Sequence, residues 1–326
     1  MFEIGEVICG TWKVLDYIGR GSQGSVLRVV GIQNCLEAAL KVAPLQKQNK
    51  LFNEAKLYNH IKQNLKHAQS SVPQLHMFRR LSDCEIMVID LLGPSLQQLR
   101  KFKESSFSRE TVLLLFLRAL ECIEKLHNAG IIHKDIKPGN ICVGRGRFAN
   151  RLYLVDLGLS CISDDHNGSE PQKGLYDDRT CVGTPIYASL GVLKGNLVAR
   201  KDDLESLCYT MMRLYKDEIP RGSRKDLNSV LLRCIGWRER SITEMCREYP
   251  NFFSDFLEYV RNLDTDEKPD YEILRQLLEL QIKQNGGKTD DCFEWLKKRT
   301  GEVVDCSDIS INKLYNNVSS FTKHAK

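Results

Sequence analysis

Residues 133–140 read HKDIKPGN. The carboxylate of Asp135, the ammonium of Lys137 two places on and the amide of Asn140 five places on are a set of parts for phosphoryl transfer. Asp135 would orient the attacking hydroxyl and accept its proton, Lys137 would neutralise charge on the group in flight, and Asn140 would hold a magnesium ion. A second carboxylate follows in VDLG at 155–158, where Asp156 would hold the magnesium that bridges the phosphates. Upstream, GRGSQGSV gives glycines at 19, 21 and 24 followed by Val26. Gly19, Gly21 and Gly24 let backbone N–H groups approach phosphates with no Cβ in the way. A plain turn between strands or a dinucleotide-binding loop would produce the same string, but a dinucleotide loop opens a helix, and here a strand pattern follows. AALK then ends at Lys41, placed to pair with phosphates, and Glu54 lies on the next helical stretch, where it would hold Lys41 by an ion pair. Taken alone, each has an ordinary reading: an exposed strand lysine, a solvated helix glutamate, a chance string. Together, in this order and each on a suitable element, they argue for one shared use of a nucleoside triphosphate.

The elements that must position these groups are legible in the hydrophobic pattern. WKVLDYIG alternates, and GSVLRVV and EAALKVAP follow it after short breaks, which predicts strands. In NKLFNEAKLYNHIKQ, Leu51, Ala55, Tyr58 and Ile61 share one helical face. CEIMVIDLL is almost wholly apolar and stops at Gly93-Pro94, as a buried strand would. After Ser95 the character becomes helical. SRETVLLLFLRALECIEKLHNAG offers Ser108 as an N-cap, Glu110 in the first turn and Gly130 at the end. RLYLVDLGL reads as a strand, residues 162–181 as a long polar loop, and helices dominate from Asp202 on. The expectation is α+β: a strand-rich part with one helix, a hinge near residue 92, and a helix-rich part.

The 326 residues carry a formal net charge of +5, which slightly favours acidic or phosphorylated partners without implying nucleic acid. Twelve cysteines are scattered with no CxxC pair, so structural zinc is not expected and a reducing, intracellular setting is. MFEIGEVICG is neither a signal peptide nor a myristoylation site, and no apolar run is long enough to span a bilayer.

LLGPSLQQL (91–99), GTPIYAS (183–189), KDDLESLCY (201–209) and DEKPDYEILRQLL (266–278) complete the picture. With the motifs above, the chain resembles a eukaryotic protein kinase, and specifically the casein kinase 1 superfamily, which includes the tau-tubulin and vaccinia-related kinases. The resemblance covers roughly residues 8–295, ending at FEW, and implies a small β-rich lobe at about 8–91, a larger helical lobe at about 93–295, and a polar tail at 296–326. It also implies ATP and magnesium as cofactors. Ile89 would be the gatekeeper, with the backbone from Asp90 to Leu92 receiving adenine. Ile18, Val26 and Ala39 would cover the nucleotide and Cys142 would lie beneath it, although plain core packing accounts for such residues equally well. Asp203 would brace the catalytic loop. The implied partners are protein substrates, with acidic ones favoured, and no specific nucleic acid or membrane. The implied state is a monomer in the cytoplasm, the nucleus or both.

The chain departs from that pattern in four places. Lys134 stands where many kinases carry an arginine that reads an activation-loop phosphate. Lysine keeps the charge but lacks the bidentate fork. With the family's habit, this implies activity without phosphorylation of that loop, which holds Ser163, Tyr176 and Thr180. Leu157 replaces a phenylalanine and can still make apolar contact with the Glu54 helix. Ile186 replaces the arginine that would read a phosphate already on the substrate, and YKDEIPRGSRK (215–225) replaces the usual LPW stretch. There Arg221, Arg224 and Lys225 either rebuild an anion site or form a solvated basic loop. Lys137 and Thr184 favour Ser/Thr over Tyr as acceptor. A pseudokinase that only binds or scaffolds is the alternative, but such chains usually lose Lys41, Asp135 or Asp156, and all three are present here. A small-molecule kinase usually lacks both the full glycine loop and the DDLES helix.

Overall fold

The computed structural model describes residues 2–20, 24–45, 50–64, 71–103, 106–163, 183–216 and 226–296. The alternating segments near the N-terminus form strands β1 (Val7–Ile8), β2 (Trp12–Arg20), β3 (Ser25–Gly31), β4 (Glu37–Pro44), β5 (Leu75–Arg80) and β6 (Cys84–Asp90). They make one antiparallel sheet in the order β1-β2-β3-β4-β6-β5. The two-residue period of a strand sorts the side chains between its faces. Val14, Leu27, Val29, Leu40, Ile86 and Val88 pack with Trp12 on one face, whereas Ala39, Met87 and Ile89 join the main core on the other.

That second face is covered by α1 (Lys50–Asn64), which puts Leu51, Ala55, Tyr58 and Ile61 into the same core. The face read from the sequence is therefore the buried one. β6 leads out through Gly93, where an added Cβ would lie 2.8 Å from the Gly144 carbonyl oxygen. Only glycine lets the connecting chain pass that close.

The helical part begins with α2 (Leu96–Lys103) and α3 (Arg109–Asn128). Ser108 caps α3 by accepting from the Thr111 amide at 3.2 Å, and Gly130 follows the helix at φ +74°. Twenty residues give α3 a length of about 30 Å. From Thr111 to Leu117 every residue is buried, so this helix is a core pillar and not an amphipathic cover.

Short strands β7 (Ile131–Ile132), β8 (Ile141–Val143), β9 (Leu152–Leu154) and β10 (Cys161–Ile162) then pair as β7 with β10 and β8 with β9. RLYLVDLGL is not one continuous strand. Asp156 adopts left-handed backbone angles, φ 66° and ψ 65°, and ends the extended run before a 3₁₀ turn at Leu157–Leu159. The remaining described helices are α4 (Leu190–Leu193), α5 (Arg200–Tyr215), α6 (Leu227–Arg238), α7 (Ile242–Cys246), α8 (Asn251–Asn262) and α9 (Tyr271–Gln284). α5, α8 and α9 pack around α3 and one another, and Phe116 of α3 meets Phe256 and Phe253 of α8 at centroid distances of 4.5 and 5.9 Å. The FEW string closes on the same region, with Phe107 and Trp295 rings 5.5 Å apart.

The two parts are joined by the chain near residue 92 and by a ladder of charges beside it. Arg145, on the β8–β9 connection, reaches Glu37 Oε2 at 2.9 Å. Arg28 holds Glu37 Oε1 at 3.0 Å and Asp16 at 2.6 Å. The polar loop read at 162–181 lies almost wholly outside the described residues, as does the tail beyond 296. Among the described residues no helix is long and apolar enough to cross a membrane.

The Phe116 contacts generate a stability prediction. Phe116→Ala leaves a cavity between α3 and α8 and should cost about 3–5 kcal/mol. Chemical denaturation measures it, and a loss near zero would show that α3 is not the pillar described.

Candidate active site

The site is built from the two parts facing each other. On β4, the register sets Lys41 opposite Val26 of β3 and Met87 of β6. Lys41 Nζ meets Glu54 Oε1 of α1 at 2.6 Å, and the Glu54 side chain is wholly buried. Burial alone would lower the lysine pKa, but the negative charges of Glu54 and Asp156 outweigh it and hold the ammonium above its ordinary range. Asp156 therefore lies close enough to be felt by Lys41, although it is carried by the other part of the chain. Leu157, beside it, is fully buried where its turn packs against α1, so leucine does make the contact expected of it.

Around this pair, Ala39 and Ile89 face each other in neighbouring strands and are buried, while Ile18 and Val26 are partly buried against the same core. Cys142 lies on β8, its thiol pushed up to about 12 by burial against the opposing pull of Lys41. A thiol in that state is inert packing and not a nucleophile. The Asp90 amide donates to Gln74 O at 3.1 Å, and its carboxylate accepts from His76 and the Gln74 amide. Leu92 follows at the connection. Gly19 pairs with Val26, whereas a Cβ on Gly24 would lie 1.9 Å from the Val42 carbonyl oxygen. Close approach to β4 thus demands glycine at 24 whatever binds there. Gly21 lies outside the described residues.

The catalytic-loop candidates converge on one carboxylate. Asp135 Oδ2 accepts from Lys137 Nζ at 2.5 Å and from Asn140 Nδ2 at 3.1 Å. Asp135 Oδ1 accepts from Thr184 Oγ1 at 2.8 Å, and Lys137 Nζ also reaches Thr184 Oγ1 at 3.0 Å. Thr184 can come this close because Gly183, at φ +92°, lies where a Cβ would be 2.6 Å from the Lys134 carbonyl oxygen. Asn140 directs its amide nitrogen to Asp135, so its amide oxygen is the atom that would face a metal ion. An amide oxygen and the Asp156 carboxylate are hard donors that fit magnesium, an ion that fills its remaining positions with water and phosphate. Among the described residues no three His, Cys, Asp or Glu side chains gather as a denser metal site.

The loop itself is held from below. Asp203, in the first turn of α5, accepts from the His133 amide at 2.7 Å and the Lys134 amide at 2.9 Å. It also accepts from His127 Nε2 at 2.9 Å, and His127 Nδ1 meets the Tyr271 hydroxyl of α9 at 2.5 Å. Lys134 has φ 67°, a left-handed conformation that costs a lysine free energy. Burial would raise the Asp203 pKa, but the hydrogen bond and potential of His127, with those of His133, outweigh it and hold the carboxyl below its ordinary range.

Two functional neighbours were not legible beforehand. The His127 and Tyr271 support of Asp203 joins residues 76 and 144 positions apart, which no local pattern reveals. Ile186 is also placed in a way its residue type alone did not show. Its side chain packs against an apolar cluster to which Ala188, Val192 and Leu193 contribute together with Val230 and Cys234 of α6, and its carbonyl accepts from Arg238 Nη2 at 2.8 Å. Arg221, Arg224 and Lys225, and likewise Tyr176 and Thr180, lie outside the described residues.

A family model described as the protein kinase domain matches residues 12–281. The chain belongs to the protein kinase family. The sheet with its one helix is the N-terminal lobe of the kinase fold, and the helices packed around α3 form the C-terminal lobe. Kinase activity, a phosphotransfer, is the function this family supports.

The depressed pKa of Asp203 makes a signed prediction. Such a carboxylate stabilises the fold above its unfolded value of about 3.9 and loses that contribution as pH falls through its lower folded value. Asp203→Asn should therefore cost stability at neutral pH, roughly 3–5 kcal/mol if it behaves as a broken buried pair. The gap should narrow in acid. Denaturation of parent and variant across the acid range checks this, and parallel curves would contradict the sign.

Proposed function

We propose that this kinase is a Ser/Thr protein kinase of the casein kinase 1 group, transferring the γ-phosphate of ATP to hydroxyls of protein substrates. The observation that carries the reading is the cluster at Asp135. One buried carboxylate is contacted by Lys137, Asn140 and Thr184, and Lys41 is held by Glu54 within the field of Asp156. Asp135 orients the acceptor hydroxyl and takes its proton. Lys137, which already bridges Asp135 and Thr184, neutralises the transferred phosphoryl group. Lys41 pairs with the α- and β-phosphates, and Glu54 keeps it from swinging away. Ile18, Val26, Ala39, Ile89 and Cys142 line the adenine, the backbone from Asp90 to Leu92 contacts its edge, and Gly19, Gly21 and Gly24 cover the phosphates. Magnesium held by Asn140 and Asp156 would neutralise charge on the phosphates.

The Ser/Thr assignment rests on Lys137 and Thr184, which share one hydrogen-bond network with the catalytic carboxylate. The casein kinase 1 assignment rests on the strings at 91–99, 201–209 and 266–278. We place the domain at 8–295 and a polar tail at 296–326, and infer a monomer working inside the cell on substrates of acidic character. The pseudokinase alternative is disfavoured because Lys41 and Asp135 are both present and both engaged in the contacts that phosphotransfer needs.

Two measurements test this. With radioactive ATP, magnesium and casein, the parent should incorporate phosphate, and Asp135→Asn or Asp156→Asn should lower kcat by several powers of ten, since each removes contacts made mainly in the transition state. Activity that survives Asp156→Asn unchanged defeats the reading.

The second concerns primed substrates. A charge-assisted contact to phosphate is worth about 1.5–3 kcal/mol, or roughly ten- to a hundredfold in kcat/KM. Ile186 supplies no such contact and lies on an apolar patch. A peptide with phosphoserine three residues before its target should thus gain little over its unphosphorylated twin, and Ile186→Arg should restore some preference. A strong preference in the parent that vanishes when Arg221, Arg224 and Lys225 are all alanine would instead place the anion site on that loop.

A further inference from the structure

Arg238 ends α6 and its side chain is completely buried. A buried guanidinium ordinarily sits against a carboxylate, because an uncompensated charge in the interior costs several kcal/mol. Here the contacts among the described residues are two carbonyls and two rings. Nη1 donates to Cys234 O of its own helix at 3.2 Å, and Nη2 donates to Ile186 O at 2.8 Å. The guanidinium carbon lies 4.3 Å from the centre of the Tyr209 ring and 5.7 Å from that of Trp237. Nε is buried and has no hydrogen-bond partner among the described residues. Such an arrangement is a poor way to stabilise a core, so its use lies in what it holds.

Of these contacts, the one to Ile186 reaches a loop and not a helix. Residues 183–189 pass directly beside the catalytic carboxylate. They are fastened at one end by Thr184, which donates to Asp135, and at the other by Ser189, whose Oγ donates to Asp202 Oδ1 at 2.5 Å. Ile186 lies between these anchors. Its side chain packs against the apolar cluster of Ala188, Val192, Leu193, Val230 and Cys234, and its carbonyl is fixed by a rigid planar fork. The fork is itself steadied. The Tyr209 face attracts the cation, and the Tyr209 hydroxyl is tied to Glu205 at 2.5 Å and accepts from Arg261 at 2.8 Å.

We propose that Arg238 is a positioning residue for the protein substrate: by fixing the Ile186 carbonyl it sets the path of residues 183–189 past Asp135, and with it the place where the acceptor chain lies. It touches neither nucleotide nor hydroxyl. The proposal rests on the phosphotransfer reading above for its substrate, but the loop anchoring can be read without activity.

The test uses the full chain with Arg238→Met, which keeps the length and removes the donors, and Arg238→Lys, which keeps a donor and loses the fork. Casein and ATP are varied separately, and amide hydrogen exchange is followed by mass spectrometry. Arg238→Met should raise KM for casein about tenfold while KM for ATP and kcat at saturating casein stay near parental values. Exchange across 184–189 should quicken about tenfold with α3 unchanged. Arg238→Lys should fall between. A parental KM for casein in Arg238→Met overturns the proposal. So does a rise in both KM values together with faster exchange throughout α3 and α5, which would be general loosening. Should Arg238→Met fail to fold, Arg238→Lys with parental KM and parental exchange overturns it equally. A parent that transfers no phosphate defeats the phosphotransfer reading instead, and exchange at 184–189 then decides the anchoring on its own.

Discussion

One buried carboxylate organises the catalytic side of this molecule. Asp203 takes the amides of His133 and Lys134 and the ring of His127. A left-handed lysine costs of order 1–3 kcal/mol and persists only where its surroundings over-determine it. Asp203 is that over-determination, because releasing Lys134 into an ordinary conformation would leave a charged oxygen buried without its donor. The strain carries through to Asp135, the next residue, whose side chain is thereby presented to Lys137, Asn140 and Thr184. The backbone contact that residue 134 makes with Asp203 is one that a lysine supplies as an arginine would.

The legible and illegible parts of the chain divide along a physical line. Features set by neighbours in sequence could be read directly: the α1 face with Leu51 and Tyr58, the Ser108 cap, and the buried β6 strand. The spacing from Asp135 to Asn140 was also readable, because a single loop brings them together. Asp203 was legible only by resemblance. The groups that support it, His127 and Tyr271, are a helical histidine and tyrosine with nothing local to distinguish them, and their roles exist only once α3, α5 and α9 have packed. RLYLVDLGL was misread past Leu154 because apolar content persists while Asp156 turns the backbone, and dihedral angles leave no hydrophobic signature.

Gly24 and Ile186 show how residue type underdetermines purpose. Glycine at 24 suits a phosphate loop, yet the Val42 carbonyl alone excludes any side chain there. Isoleucine at 186 reads as the loss of a cation, but its side chain packs against an apolar cluster, and Arg238 now approaches the backbone of the same residue from beneath. The cation at this point meets a backbone carbonyl of residue 186.

The ladder running from Asp16 through Arg28 and Glu37 to Arg145 has a different character from the Asp203 network. Its members are partly exposed, with side chains between about a quarter and a half accessible, whereas Asp203 and His127 are about 1% accessible. Exposed pairs contribute up to about 1 kcal/mol each and are screened over about 10 Å at 0.1 M ionic strength. Electrolyte thus acts unevenly on the molecule: it softens the joint between the lobes well before it reaches the frame that aims Asp135.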